Sequence, residues 1–260
     1  MDAHGRSQSA DWRGWLQAES SRIGIRLADP QLDHFARYLG ELLEWNRRAN
    51  LTSITDPDEI AALHFLDSLT CLAALDFPTD ARLADVGTGA GLPGIALAIA
   101  RPDLRVTLIE STQKKCRFLE HVIHLLPLPN AVIQCGRAET AGRDPGLRES
   151  FDIVAIRAVA RLAVAAELCL PLTRIGGAAL VMKGPRAGEE VLEASPAIAI
   201  LGGRIESTRN FLIPAPTGTA ARTIIVLRKQ TQTSPKHPRA PGKPAKRPLG
   251  IDRPTRRGIE

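Results

Sequence analysis

The residues best placed to do chemistry lie in the segment DVGTGAGLPG, residues 85–94, which directly follows a short apolar run. Glycine has no Cβ and adopts left-handed backbone conformations without strain, so closely spaced glycines let a backbone approach a ligand. A glycine-rich turn between a strand and a helix is the place where many α/β proteins bind nucleotides. Gly89, Gly91 and Gly94 satisfy the dinucleotide pattern G-x-G-x-x-G, but the glycines alone do not identify the ligand.

Charged residues around this loop narrow the choice of ligand. A Walker-type phosphate loop is excluded, because Gly94 is followed by Ile-Ala where that motif requires Lys and then Ser or Thr. Glu110 lies where an acid would bind the ribose hydroxyls of a dinucleotide or of S-adenosylmethionine. Asp85 would repel a pyrophosphate and attract the sulfonium and ammonium groups of S-adenosylmethionine. The pattern therefore predicts S-adenosylmethionine, with a purely structural tight turn as the alternative.

The elements that would position these residues alternate between strands and helices after the first eighty residues. Short β-rich runs occur at RLADV, RVTLIE, NAVIQC, FDIVAIR, AALVMKG and RTIIVLRK, and helical segments separate most of them. This alternation predicts an α/β fold, a Rossmann-like and mostly parallel sheet flanked by helices. Before it, Asp-Pro dipeptides at 29–30 and 56–57 precede apolar residues at helical spacing. We predict an N-terminal helical extension over 1–80, a Rossmann-like domain over 81–230 and a tail over 231–260.

The positive charge of the chain belongs to the tail. Eight of the 34 basic and two of the 28 acidic side chains lie in residues 231–260, so the net charge of +6 arises there and the rest of the chain is neutral. The tail contains six prolines and few large apolar side chains, which predicts a disordered segment. Its basic residues make it a candidate arm for sequence-independent binding of RNA phosphates.

Composition also bears on location and metal binding. No apolar run approaches the ~18 residues of a membrane span, and the N-terminus lacks a signal-peptide pattern, so we expect a cytoplasmic protein without a membrane partner.

The cysteines are Cys71, Cys116, Cys135 and Cys169. They form no CxxC pair, which predicts reduced thiols, most of them buried. His121 and His124 have no ligand partner at a matching spacing, so we predict no metal site.

Five segments in chain order resemble the bacterial small-subunit rRNA guanine-N7 methyltransferase family, also called glucose-inhibited division protein B: WNRRANLTSITDPDEIAALHFLDSL, DVGTGAGLPGIALAIARPD, KKCRFLE, FDIVAIRAVA and VMKGP. The form DVGTGxGLPGI, with Pro93 inside the loop, is more specific than the general glycine pattern. The resemblance implies a class I S-adenosylmethionine-dependent methyltransferase with 16S rRNA or the small ribosomal subunit as its substrate. It implies cofactor contacts at Gly87, Gly89, Leu92, Glu110, Ala138, Glu139 and Arg157.

The chemistry that this resemblance implies needs no general base. Guanine N7 carries a free lone pair, so the enzyme mainly aligns the two reactants and excludes water. Cys169 stands in Cys-Leu-Pro rather than in the Pro-Cys order of cytosine-C5 enzymes, and IRAVAR lacks the proline motif of exocyclic-amine enzymes. Both absences favour a ring nitrogen as the methyl acceptor, and the resemblance implies that this nitrogen is guanine N7, with no catalytic side chain. We also expect a monomer. The alternatives are an NAD-dependent oxidoreductase on a similar fold and a non-catalytic RNA-binding module.

Several other polar residues keep two interpretations. Arg157 is either a structural arginine or a residue that faces the cofactor and the target base. The basic residues of 114–117 either contact phosphates or form a solvated helix face. Lys183 lies at the expected edge of the site, which favours a role in substrate binding. Asn50 and His64 are expected to make buried hydrogen bonds.

Overall fold

The computed structural model describes residues 11–158, 161–185 and 187–250, and these contain a seven-stranded sheet. The strands are β1 (Arg82–Val86), β2 (Arg105–Glu110), β3 (Ala131–Cys135), β4 (Phe151–Arg157), β5 (Thr173–Lys183), β6 (Gly203–Ala215) and β7 (Gly218–Lys229). Their order across the sheet is β3-β2-β1-β4-β5-β7-β6. β1 to β5 are mutually parallel, whereas β7 is antiparallel to β5 and to β6. This order confirms the predicted mostly parallel, Rossmann-like sheet.

Helices precede the sheet and flank it. Those before the sheet are α1 (Trp12–Arg22), α2 (Asp29–Ala49), α3 (Pro57–Ile60), a π-helical segment (Ala61–Leu66) and α4 (Asp67–Ala74). Those after β1 are α5 (Gly94–Ala100), α6 (Gln113–Leu125), α7 (Ala138–Ala141), α8 (Leu162–Cys169), α9 (Ala187–Ile200) and α10 (Lys243–Lys246). The predicted N-terminal helices are thus confirmed. Within the ranges given above, no helix is both long and apolar enough to cross a membrane.

Two apolar clusters cover the two faces of the sheet. One contains the buried rings of Phe35, Tyr38 and Phe65, whose centroids lie 4.9 Å (Phe35 to Phe65) and 5.4 Å (Tyr38 to Phe65) apart. The other lies beneath α8 and α9. Successive residues of β4 point to opposite faces, so Ile153 packs in the first cluster and Val154 in the second. Burial on both faces explains why the strands are continuous apolar runs in the sequence.

The N-terminal helices are attached to the sheet domain close to the glycine loop. The Gln31 side-chain amide donates hydrogen bonds to the carbonyls of Ile99, at 3.0 Å, and Ala100, at 2.8 Å. These contacts satisfy carbonyls at the C-terminus of α5 that have no partner within the helix. The Tyr38 hydroxyl donates to the Ala90 carbonyl inside the loop at 2.5 Å. The extension therefore supports the loop that it precedes in the chain.

The pattern of apolar runs in the sequence does not reveal one side of the sheet. It predicted neither α9 nor β6, and it began β5 five residues too late. β6 is an edge strand whose side chains are mostly exposed or half-buried, and it contains Pro214. Edge strands tolerate polar residues and proline because one of their sides has no neighbouring strand. A search for apolar runs therefore does not detect β6.

The C-terminal residues differ from the disordered tail that was predicted. Residues 231–250, which we call the C-terminal strap, pack against the body of the protein. The Arg239 guanidinium donates to the fully buried carboxylate of Glu167, at 2.8 Å from Nε and 2.6 Å from Nη2, and Arg148 donates to strap carbonyls. The prediction considered only apolar burial, whereas ion pairs and prolines also order a chain. Residues 251–260 lie outside the described ranges.

The expectation of four reduced thiols is wrong for Cys116 and Cys135, which form a disulfide. β2 and β3 are adjacent, and Cys135 lies in register with Glu110. The chain turns after β2 into α6, which carries Cys116 back over this strand pair, so the two Cα atoms are 6.1 Å apart. A separation of 19 residues in the sequence concealed this proximity. Cys71 and Cys169 are buried free thiols.

Candidate functional site

The glycine loop leaves β1 and turns sharply before α5. Gly87, Gly89 and Gly91 have φ angles of 67°, 63° and 96°, which are strained for residues with a Cβ. At Gly91 a Cβ would also lie 3.0 Å from the Tyr38 hydroxyl oxygen and closer still to Ile95. At Gly87, by contrast, no heavy atom of the described chain beyond Gly87 and its two sequence neighbours lies within 4 Å of that position. The glycines thus shape the loop and leave its backbone open to a ligand.

Asp85 lies beneath the loop, and its side chain is 0% exposed. Its Oδ2 accepts hydrogen bonds from the Thr88 hydroxyl and, at 2.7 Å, from the Gly94 N–H. Burial raises the pKa of Asp85 to about 6, although both hydrogen bonds act to lower it. From the sequence, this carboxylate is expected to attract a cationic ligand. The geometry gives it a different immediate role, because it holds the two ends of the loop together.

Glu110 ends β2 beside the loop and is 5% exposed. Its Oε2 accepts from the Gly89 N–H at 3.0 Å, and its Oε1 accepts from the Thr112 N–H at 2.7 Å. Two backbone donors therefore fix the orientation of the carboxylate. A carboxylate held in this way at the end of the second strand is suited to accept hydrogen bonds from a pair of ribose hydroxyls.

Ala138 and Glu139 follow β3 at the same edge of the sheet. The Gly136 N–H donates to the Glu110 carbonyl at 2.8 Å, so this segment lies against the end of β2. Glu139 is buried, and its Oε1 accepts from the Gly242 N–H of the C-terminal strap at 2.7 Å. Leu92 is 3% exposed, and its backbone N–H donates to the Thr88 carbonyl at 3.0 Å, so its contact with a cofactor stays a prediction. The structure therefore brings the predicted residues of three loops to one edge.

Arg157 ends β4, which is the neighbour of β1 on the side opposite to β2. Its Nη1 donates to the Leu63 carbonyl and to Asp67 Oδ2, at 3.3 Å in both cases. The guanidinium lines a cavity of about 330 Å³ together with polar and apolar side chains from four other elements. Prominent among these are His64, Asp67, Met182, Lys183 and Arg222. Arg157 thus ends a strand at the same edge of the sheet as the glycine loop, and it also lines a separate cavity.

The cavity contains a buried carboxylate between two arginines. Asp67 is 3% exposed, Arg157 lies on its Oδ2, and Arg222 Nε lies 3.2 Å from its Oδ1. Burial raises the pKa of Asp67, and the two guanidinium groups oppose that rise. Burial also lowers the pKa of His64 to about 4, with Arg157 acting in the same direction. His64 is therefore neutral at pH 7 and adds no further positive charge.

The remaining sequence-predicted residues have varied surroundings. His64 makes the expected buried hydrogen bonds, with Nε2 2.7 Å from Thr52 Oγ1 and Nδ1 3.0 Å from the Leu63 carbonyl. Asn50 does not, because it is exposed and ends α2 in a left-handed conformation. Lys183 lines the cavity, and its Nζ lies 2.8 Å from a Glu190 carboxylate oxygen.

Sequence reasoning missed Asp67 and Arg222 entirely. Asp67 follows the π-helical segment in the stretch HFLDSL, all of whose residues are buried. A charged residue on the buried face of a helix costs free energy unless it is paired, so this position was a detectable signal. Arg222 lies in the part of β7 next to the cavity and contacts Asp67 across 155 positions of the chain. No local pattern predicts such a contact.

The cysteines and histidines do not suggest other chemistry. Cys169 is 0% exposed, and burial raises the pKa of its thiol, so it is not an activated nucleophile. The ring of His121 contacts the Glu41 carboxylate at 2.7 Å. Among the residues whose placement is described, no three His, Cys, Asp or Glu side chains form a group that could hold a metal ion.

The family model and the curated sequence relatives agree on one family. The family model described as GidB, rRNA small subunit methyltransferase G, matches residues 31–215. Curated proteins named ribosomal RNA small subunit methyltransferase G align with most of the chain. The protein from Geobacillus thermodenitrificans is 46% identical over 234 residues, which are 90% of this chain and 98% of that protein. The protein from Pelotomaculum thermopropionicum is 49% identical over 234 residues, 90% of this chain and 97% of its own.

Solved structures are more distant. A protein from Agrobacterium tumefaciens, described as a predicted O-methyltransferase, aligns with a TM-score of 0.49 and 21% sequence identity. The alignment covers 66% of this chain and 82% of that chain. A likeness of this strength supports no conclusion about activity, which depends on the sequence relatives and on the site.

Proposed function

This chain belongs to the rRNA small subunit methyltransferase G family, and we propose that it transfers a methyl group from S-adenosylmethionine to N7 of a guanine in 16S rRNA. The observation that supports this most is the joint placement of the glycine loop and the Glu110 carboxylate at the edge of a Rossmann-like sheet. Such an edge, at the carboxyl ends of parallel strands, is where nucleotide-like ligands bind.

The residues present fit the cofactor. Glu110 is already oriented by two backbone donors and would accept from the ribose hydroxyls. The backbone at Gly87, Gly89 and Leu92 would face the methionine portion, because the loop is open at Gly87. The segment Ala138–Glu139 would lie against the adenine, and Arg157 would lie between the cofactor and the substrate. S-adenosylmethionine supplies an activated methyl group when it is bound.

The reaction requires the protein mainly to align the methyl donor with the target base. With S-adenosylmethionine bound, guanine N7 would accept the methyl group through its own lone pair while the sulfur–carbon bond broke, and S-adenosylhomocysteine would leave. No proton has to leave before attack, so no side chain is assigned as a general base. The apolar and arginine-lined cavity beside Arg157 would exclude water from the reacting atoms.

The substrate and the cellular setting are part of the same proposal. We infer that the substrate is 16S rRNA or the small ribosomal subunit, that the protein works as a cytoplasmic monomer, and that no metal takes part. Residues 1–80 would act as a helical support for the methyltransferase domain over 81–230. The hydrogen bond from Tyr38 to the loop favours this supporting role of the N-terminal helices.

A thermal-shift experiment separates this proposal from its two rivals. S-adenosylhomocysteine at about 100 times its dissociation constant should stabilise the protein by about 2.7 kcal/mol, whereas NAD at the same concentration should not. Stabilisation by NAD alone would favour the oxidoreductase. Tight binding of RNA without any response to S-adenosylhomocysteine would favour the non-catalytic module.

The activity itself is tested by mapping 7-methylguanosine in 16S rRNA. A deletion strain should lack one such position that its parent has. The purified protein with S-adenosylmethionine should restore it, either on naked rRNA or on isolated small subunits, which also identifies the true substrate. An unchanged modification pattern in the deletion strain would overturn the proposal.

A further inference from the structure

The cavity beside Arg157 is distinct from the edge of the sheet that carries the glycine loop and Glu110, but it adjoins that edge. β4 pairs with β1 in the register Val86 to Ile156, so Arg157 and the glycine loop leave neighbouring strands at the same end. The other walls come from the π-helical segment, α4, the end of β5 and β7. A base placed in this cavity would therefore lie next to a cofactor bound at the loop. Its volume of about 330 Å³ falls in the range of small-ligand sites.

One atom in this cavity has an unused hydrogen-bonding capacity. Asp67 Oδ1 is buried and accepts no hydrogen bond from any described residue, although Arg222 Nε lies 3.2 Å away. Oδ2 is already contacted by Arg157. The ion pair with Arg222 offsets the charge of Oδ1 but does not fill its hydrogen-bonding capacity, and an unfilled buried acceptor calls for an explanation such as a bound ligand. Asp67 is one of the residues that line the cavity, and a buried acceptor at this position points to a ligand that carries N–H donors.

Guanine has the matching set of groups. Its Watson–Crick edge presents the N1–H and the 2-amino group as adjacent donors, with O6 as an acceptor beside them. A carboxylate can accept from both donors, and an arginine can donate to O6. N7 lies on the opposite edge of the ring and stays free to face the methyl donor. Adenine would place the N1 acceptor against the carboxylate, which is repulsive.

We propose that this cavity holds the target guanine, turned out of its RNA stack, and that Asp67 identifies the base by accepting from its Watson–Crick edge. The inference rests on the proposed function and adds the residue that determines base specificity. Enzymes that modify a base commonly extrude it into a pocket and read this same edge. Arg157 and Arg222 would keep the carboxylate ionised and in place, and one of them would donate to O6.

The test compares nucleotides that differ at this edge. Binding of GMP, IMP and AMP to the full-length protein saturated with S-adenosylhomocysteine would be measured by saturation-transfer NMR titration. IMP lacks the 2-amino donor, and AMP lacks both donors. We expect GMP to bind about tenfold more tightly than IMP, the effect of one hydrogen bond to a charged group, and AMP to bind more weakly still.

The variant Asp67→Asn should change the ranking of the bases. An amide presents one acceptor and one donor, which complements the N6 amino group and N1 of adenine. GMP affinity should fall about tenfold or more while AMP affinity holds or rises, and Asp67→Glu should retain the preference for GMP. Glu120→Gln, an exposed carboxylate on α6, is the matched control and should behave as the wild type.

Each other outcome has a clear meaning. An equal fall for all three nucleotides in Asp67→Asn would show that Asp67 only anchors the two arginines and would overturn the proposal. Wild-type protein that ranks IMP equal to GMP, or binds no GMP at millimolar concentration, would overturn it without relying on a variant. Failure of the proposed function is recognised separately, because the wild type would then not bind S-adenosylhomocysteine at all.

Discussion

Replacing Arg239 by methionine should release the C-terminal strap from the body of the protein. Arg239 donates to Glu167 through Nε, Nη2 and its backbone N–H, and the Glu167 side chain is 0% exposed. Methionine keeps much of the side-chain length but donates no hydrogen bond. The variant therefore leaves a buried carboxylate with its backbone donor and, at 3.4 Å, the ring of His237.

The expected cost follows from this geometry. Removing one partner of a buried ion pair typically costs 3–5 kcal/mol. Arg239 is 18% exposed and one backbone donor remains, so we take the lower end, about 3 kcal/mol. The strap can detach and let water reach Glu167, so the loss should appear as local opening rather than global unfolding. At 1.36 kcal/mol per factor of ten, opening should become about 150-fold more frequent.

Hydrogen–deuterium exchange of the strap measures this opening. Amides within residues 231–250 should exchange about two orders of magnitude faster in Arg239→Met, whereas amides of β1 and β4 should not change. Lys236→Met, at an exposed strap position, is the control. Adding Glu167→Gln to Arg239→Met should recover part of the protection, because the orphaned charge is then absent.

The same contact predicts a dependence on pH. Burial alone would raise the pKa of Glu167, but the hydrogen bonds from Arg239 outweigh it and hold this pKa below its ordinary value. The contribution of Glu167 to strap docking is therefore present above the pKa of the unfolded chain and is lost as the pH falls through the lowered, folded-state pKa. In Arg239→Met the loss should begin at higher pH. Unchanged strap protection at neutral pH in this variant would refute the reasoning.

Three further outcomes are expected. Glu110→Gln should weaken S-adenosylhomocysteine binding about tenfold by calorimetry, because a charged acceptor for the ribose is lost; an unchanged affinity would contradict its assignment. Tyr38→Phe should lower the free energy of unfolding in urea by about 1–2 kcal/mol, because the buried Ala90 carbonyl loses its donor; a loss below ~0.3 kcal/mol would contradict the proposed support of the loop. Thiol titration of denatured, unreduced protein should find two free cysteines, and four after reduction of the bond between Cys116 and Cys135; four thiols before reduction would disprove that bond.

The sequence by itself determined the elements that depend on neighbouring residues. The glycines of 85–94 favour left-handed backbone, which Gly87, Gly89 and Gly91 adopt, and the alternation of apolar runs with helical segments predicts a mostly parallel sheet. Glu110 could be placed beside the loop because consecutive parallel strands end at the same edge. These inferences succeeded because conformational preference and burial pattern are local properties of a chain.

Only the tertiary structure decided which distant side chains meet. Asp67 contacts Arg157 across 90 positions, and Glu167 contacts Arg239 across 72. Each pair consists of a buried carboxylate and an arginine from another element, a match of charge and geometry that leaves no periodic trace in the sequence. Asp85 is a similar case. Its residue type and its spacing from the glycines could be recognised in the sequence, but its burial beneath the loop could not. Burial and pairing depend on how whole elements pack, and at this site packing assigned the roles of the charged residues.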